Sequence, residues 1–154
     1  MIDITVKIDL KDFQRGLQQA PAVAIAEISK AIQKSLITVH SQALKEAPVN
    51  KGGGGGNLRQ KIAPPKMTSR LRGEIVSRAP YSIYVHEGTR PHIIIPINKK
   101  VLANKRTGEI FGKIVHHPGT KPNPFFTRAI QQTKNKVDQF FKTASLNIIK
   151  EITK

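Results

Sequence analysis

Four of the five histidines in this 154-residue chain fall in two short stretches, YVHEGTRPH at 84–92 and HHPGTKPNP at 116–124, and Glu87 is the carboxylate among them. Imidazole and carboxylate can hold zinc, and a histidine beside a glutamate can also act as a general acid–base pair, as a basic ribonuclease would need. The spacing serves neither well. A His-Glu-x-x-His site needs a helix to bring both rings to one ion, whereas HEGTRPH leaves four residues between Glu87 and His92, with Gly88 and Pro91 among them. One geometry leaves a shared metal open: a hairpin centred near residue 104 would set His92 opposite His116. The ten acidic residues are scattered, and no nucleophile or paired acid marks a reaction. No catalytic, metal or cofactor residue is therefore assigned, and the chain reads as a non-enzyme.

The same two stretches share Gly-Thr-basic-Pro, at 88–91 and 119–122, and they sit in the most basic part of the chain. Of 26 Lys/Arg and 10 Asp/Glu, residues 51–128 hold 15 and 3, so most of the net charge of +16 is concentrated there. Such a field draws in polyanions or acidic protein surfaces and repels further copies until something neutralises it. Arg59, Lys61, Lys66, Arg70, Arg72 and Arg78 form one cluster, and Lys99, Lys100, Lys105, Arg106 and Lys113 form another. Phosphate contact independent of sequence requires little more, although no helix-turn-helix, zinc-finger or RNP-type aromatic signature accompanies it. The pentaglycine at 52–56 is no phosphate loop, because Gly-Lys-Ser/Thr does not close it and a helix, not a strand, leads into it. It reads as a mobile surface loop. The absence of cysteine removes disulfides and thiolate chemistry and suits a cytosolic product. No apolar run reaches the roughly 18 residues of a membrane span, and the alternating start MIDITVKIDL is unlike a secretory signal.

The elements that must position these side chains follow from the pattern. Ile2, Ile4, Val6 and Ile8 alternate with Asp3, Thr5, Lys7 and Asp9, which predicts a half-buried strand. Asp12 can cap a short helical turn over 13–19, and Pro21 suits the first turn of a longer helix. Ile25, Ile28, Ile32, Leu36, Val39 and Ala43 recur every three or four positions, predicting an amphipathic helix within 22–46 that Pro48 ends. Five β-rich stretches follow, at 57–64, 69–77, 81–87, 92–97 and 109–117, with Gly and Pro between several of them. Within 81–87, Tyr81 and Tyr84 alternate with Ile83 and Val85, so one face is read as core. If 92–97 pairs with 109–117, the basic loop 98–109 projects as a hairpin tip, and Pro96 puts its strand at an edge or a bulge. Asn123 caps and Pro124 opens a last helix, along which Phe126, Ile130, Thr133, Val137, Phe140, Ala144, Ile148 and Ile152 run at three-and-four spacing. That stripe is read as core, with a seam between identical subunits as its other use. The summed expectation is one α+β domain over 1–154, an antiparallel β-sheet packed with two long α-helices and a projecting β-hairpin.

Taken in order, these segments carry a resemblance. The first helix ends in EAPVNKGGGGGNLRQKI, the strands give SRAPYSIYVHEGT, and HPGTKPNPFFTRAI leads into the final helix. Over residues 20–150, most of the chain, this resembles the tail-completion, or head–tail joining, family of long-tailed, lambdoid-type bacteriophages and prophages. Ala47 and Pro48 match the family's helix end, and Leu58, Arg59 and Ile62 match its Leu-Arg-x-x-Ile portion. Tyr81, Tyr84, Val85, Glu87, Gly88 and Thr89 match its strand end, and Pro124, Phe125 and Ala129 match its Pro-Phe lead into the last helix. The order His86-Glu87 departs slightly from the family's, the pentaglycine lengthens the loop before Asn57, and Lys61 stands where a small polar residue is usual.

The resemblance implies a structural part in virion assembly, with no enzymatic activity and no cofactor. The chain would be a minor tail or neck protein acting as an oligomeric ring in tail completion and head–tail joining, a hexamer among the sizes left open, and monomeric subunits before assembly fit as well. Its partners would be copies of itself and neighbouring neck, tail-terminator or tail-tube proteins, with transient contact to passing DNA and none to a membrane. It would sit in the host cytoplasm during assembly and at the head–tail junction of the virion afterwards. The residues then expected to dock are Lys99, Lys100, Lys105 and Arg106 on the loop, Glu87, Gly88, Thr89 and Arg90 at the first turn, and Pro124 and Phe125 before the last helix. Gly88 can take the positive φ of a sharp exit and Pro91 an extended departure, and Gly119 and Pro122 repeat this on the return, bracketing the hairpin. A basic, non-enzymatic nucleic-acid-binding protein is the alternative.

Overall fold

A computed structural model describes residues 5–9, 22–49, 56–104 and 107–153. The described residues form two compact units, one drawn from 1–83 and 124–154, the other from 84–123. The first is the body and the second is inserted into it along the chain.

Two long helices dominate the body, α1 (Ala22–Glu46) and, at the end of the chain, a helix over Phe125–Ile152. Along α1 the buried positions Ala24, Ile28, Ala31, Ile32, Ser35, Leu36, Val39 and Ala43 keep the three-and-four spacing of the sequence. Ser35 is tolerated on that stripe because its hydroxyl donates to Ala31 O at 2.7 Å. Thr133 plays the same part on the last helix, donating to Ala129 O at 2.7 Å. The two helices pack antiparallel, since Arg128 Nε donates to Glu46 Oε2 at 2.8 Å at one end and Asn147 Nδ2 donates to Glu27 Oε2 at 2.7 Å at the other. Gln42 and Gln132 join the seam through a side-chain hydrogen bond.

The seam holds two carboxylates. The Asn147 amide, and after it Lys30, keep the Glu27 carboxyl below the ordinary value of 4.5, and the Arg128 guanidinium does the same for Glu46. A carboxylate whose folded pKa is depressed stabilises the fold above its unfolded pKa, and that contribution is lost as pH falls through the folded value. The melting temperature is therefore expected to hold from pH 7 to about 5 and fall below that. Glu46→Gln should flatten the fall, and thermal melts across this range check it.

The body's sheet has the order β1-β3-β2, built from β1 (Thr5–Asp9), β2 (Lys66–Ser69) and β3 (Arg72–Val76), all antiparallel. The register runs Thr5↔Val76 to Asp9↔Arg72 on one side and Lys66↔Glu74 on the other, with a shift between Met67 and Ser69. Leu71, Gly73, Ile75 and Ser77 are buried while Arg72, Glu74 and Val76 between them are half-buried, the period of two that puts alternate side chains on one face. α1 covers β3. An α+β architecture is thus present, with an antiparallel sheet and two long helices.

All five predicted strands differ in the structure: 92–97 keeps only His92–Ile94, 109–117 divides into Ile110–Gly112 and Val115–His117, and the other three change more. Residues 57–64 open as a short helix, α2 (Asn57–Lys61), after Gly56 at φ 100°. Leu58 within it and Ile62 just beyond its end are both buried; their four-residue spacing is helical, but Ile62 itself is extended, with φ −74° and ψ 106°. Ile62 then makes a bridge to Ser77, extending the sheet by one step. The single strand expected over 69–77 is instead the end of β2, a turn at Arg70 and Leu71, and β3. Residues 81–87 form a helix, α3 (Ser82–Glu87), entered through a Ser82 N–H bond to Ala79 O at 3.0 Å. Tyr81 and Tyr84 are exposed there, so neither lines a core-facing side of a strand. The start of the predicted first strand, the turn at 13–19 and most of the pentaglycine lie outside the described residues.

The inserted unit contains β4 (His92–Ile94), β5 (Leu102–Ala103), β6 (Ile110–Gly112) and β7 (Val115–His117), paired antiparallel as β4-β7 and β5-β6. The final helix is α4 (Phe125–Ile152).

Candidate functional site

The two Gly-Thr-basic-Pro repeats are bound to each other. Thr89 N–H donates to Thr120 O at 3.0 Å and Thr120 N–H donates back to Thr89 O at 3.1 Å, an isolated antiparallel bridge. The two threonine hydroxyls also meet, at 3.1 Å. Asn123 N–H adds a bond to Val85 O at 3.0 Å. Each glycine makes room for the opposite repeat. Gly88 has φ 75°, and a Cβ there would stand 2.5 Å from Thr120 O and 2.8 Å from Pro122 N. Gly119 has φ 86°, and a Cβ there would collide with Thr89 O and lie 2.9 Å from Arg90 C. The prolines hold Arg90 and Lys121 toward extended backbone, and both basic side chains are exposed. The repeated motif is thus a two-sided clasp at the start and finish of the inserted unit. The expected positive φ at both glycines is present; their direct pairing carries no local sequence signal beyond the repetition itself.

The histidines take up the next step. His92 pairs with His117, not with His116, which stands opposite Ile93. The His92 and His117 rings lie with centroids 4.9 Å apart. His92 Nδ1 is 2.9 Å from Arg90 O, and since a carbonyl only accepts, that nitrogen carries the proton. His117 Nδ1 accepts from Gly119 N–H at 3.0 Å and is therefore bare. Each ring thus has one nitrogen committed to the clasp. Among the described residues no group of three or more His, Cys, Asp or Glu is gathered as a metal would need. Dialysis against EDTA is expected to leave the melting temperature unchanged, and elemental analysis should show no stoichiometric zinc.

The docking candidates separate. Glu87 ends α3, is exposed, and accepts from His86 Nδ1 at 2.6 Å. Gly88, Thr89 and Arg90 are in the clasp, beside an open depression of about 510 Å³ lined by Tyr84, Gly88, Thr89, Arg90 and His92. Lys99 and Lys100 are exposed, whereas Lys105 and Arg106 lie outside the described residues. Pro124 immediately precedes α4, and Phe125 is 0% exposed, so its ring is used in the core of the body and is not offered to a neighbour.

The expected single basic tip over 98–109 is also different. Between Ile94 and Leu102 the chain runs through 95–101, while only Lys113 and Ile114 lie between Gly112 and Val115 on the return. The surplus makes a wide bulge that carries Lys99 and Lys100, followed by the short β5-β6 ladder. Its turn is closed by Asn104 N–H to Glu109 O and Gly108 N–H to Asn104 O, both 2.8 Å. The bulge also displays Ile95 and Ile97, which no pattern of charge marks.

Among the described residues no helix is long and apolar enough to cross a membrane. Compared with models of known protein families, with curated proteins and with solved structures, the chain matches none.

Proposed function

We propose that this chain is a structural subunit of the head–tail junction of a long-tailed phage, acting without catalysis as an oligomeric ring in tail completion and head–tail joining. The observation that carries the reading is the clasp, which closes an inserted unit whose basic and aliphatic side chains face solvent. The order of the sequence motifs supports it. Docking on neighbouring neck or tail proteins falls to the inserted unit, and contact between copies falls to the body, where Leu146 and Ile149 are 58% and 57% exposed on α4.

Reversing Lys99, Lys100, Lys105 and Arg106 to glutamate tests it. Each exposed contact is worth roughly 0.2–1 kcal/mol, small alone but multiplied around a ring. The melting temperature should stay unchanged while the joining of heads to tails fails. Normal yields of infectious particles from the reversed protein, or mature particles without this chain at the junction, would end the reading.

A nucleic-acid-binding role is favoured by a different observation, the exposure of Arg59, Lys61, Lys66, Arg70 and Arg78 on the body. That role requires DNA affinity falling steeply with salt, which the assembly role does not.

A further inference from the structure

We infer that the bulged ribbon of the inserted unit docks on an unlike protein whose contact surface is apolar at the centre and acidic at the rim, and that isoleucines, more than lysines, hold it there. This deepens the assembly reading and rests on it for where the partner resides.

Six large apolar side chains are exposed within a short span: Ile93 at 60%, Ile95 at 62%, Ile97 at 92%, Ile110 at 68%, Phe111 at 50% and Ile114 at 59%. A strand with isoleucine at consecutive positions, as in HIIIPI, is the pattern of a sheet covered on both faces. Here the sheet is a two-stranded ladder, and such ladders are marginal by themselves. Among the described residues, β4 and β7 pair only with each other, so each keeps an edge with no strand beside it. Cover and a partner strand must come from elsewhere.

Charge decides the occupant. Residues 88–122 hold seven Lys/Arg and one acidic residue, Glu109, so two such units repel each other. The rest of the chain offers little relief, because it too is net basic, with 19 Lys/Arg against nine Asp/Glu, and Glu27 and Glu46 are already engaged by Lys30, Asn147 and Arg128. A second copy is thus disfavoured, and a rim rich in Asp and Glu fits. Nucleic acid would use the cations as phosphate contacts and leave the isoleucines in water. A bilayer would take the isoleucines but cannot satisfy the free N–H and C=O groups of a strand edge, which a protein strand can. The depression beside Arg90 and Tyr84 offers a place for one acidic or aromatic side chain of that partner.

The test uses a labelled peptide with three leucines alternating with serines between pairs of glutamates, and a control with serine for every leucine. Binding is read by fluorescence anisotropy in 0.5 M salt, beside a DNA duplex and phosphatidylserine vesicles. The leucine peptide should bind at least ~10-fold tighter than its control. Ile95→Ser with Ile97→Ser should abolish that difference at unchanged circular dichroism, and Ile97→Ser alone, at the most exposed of the six, should reduce it if the pair proves unstable. Equal binding of the two peptides, or a preference that survives the substitutions, overturns the inference. So does tighter, isoleucine-dependent binding to DNA or to vesicles. Isoleucine-dependent binding to the peptide without binding to purified heads or tails sinks the assembly reading and leaves the partner's chemistry standing.

Discussion

Replacing Phe125 with alanine should lower the stability of the body by about 3–5 kcal/mol, the cost of emptying a site the size of a phenyl ring. Phe125 is completely buried, its ring centroid lies 4.7 Å from that of Phe126, and Ala129 one turn on is equally inaccessible. It anchors the first turn of α4, so the cavity would open where the helix begins. For a chain of this size the melting temperature should fall by about 6–20 °C. Phe111→Ala is the control, since half its surface is already in water and its loss should cost only about 1 kcal/mol. Urea titrations of the two variants that give equal losses would show that the core has been misplaced.

The second large effect is expected at the clasp. Alanine at Gly88 or Gly119 forces a side chain onto left-handed backbone, at about 1–2 kcal/mol, and then presses Cβ against backbone atoms of the other repeat. A flexible side chain could swing aside; the carbonyls of Thr89 and Thr120 cannot without breaking their own bonds. The clasp should therefore open while α1 and α4 remain. Hydrogen exchange shows this as loss of protection by about 30-fold or more at the Thr89 and Thr120 amides, with the helix amides unaffected. Protection retained at both threonines in Gly119→Ala would mean that the repeats are not held by each other.

How much of this was legible depends on the length of each pattern. The two long helices were, because eight buried positions at helical spacing in α1 leave a strand no way to accommodate them. Pro48 and Pro124 marked their limits. Short segments were not. Ser82–Glu87 is rich in aromatic and β-branched residues, yet six residues are too few for period to separate a turn of helix from a strand. Leu58 and Ile62 did carry a helical signal, hidden because Ile62 goes on to bridge Ser77 as a strand would. The candidate site was half legible. The repeated Gly-Thr-basic-Pro was visible and its glycines were read rightly, but partnership between two repeats is a long-range fact that no window contains. The register of the inserted unit was missed by one residue at His92 because the bulge at 95–101 shifts the ladder, and unpaired residues have no period to announce them.

The pairing of Thr89 with Thr120 brings the two ends of residues 90–119 side by side. For loop-closure entropy the length between them then matters little, each doubling costing about 0.6 kcal/mol once the ends are joined. Lengthening, shortening or exchanging that segment leaves the joint itself intact, so long as Gly88 and Gly119 stay. The clasp thereby separates two kinds of sequence change. Substitutions in the body are judged by packing, where a methylene is felt, while those between the threonines are judged chiefly by what they meet outside. A segment of another length and charge, grafted between Thr89 and Gly119, should fold on the same scaffold and address a different neighbour.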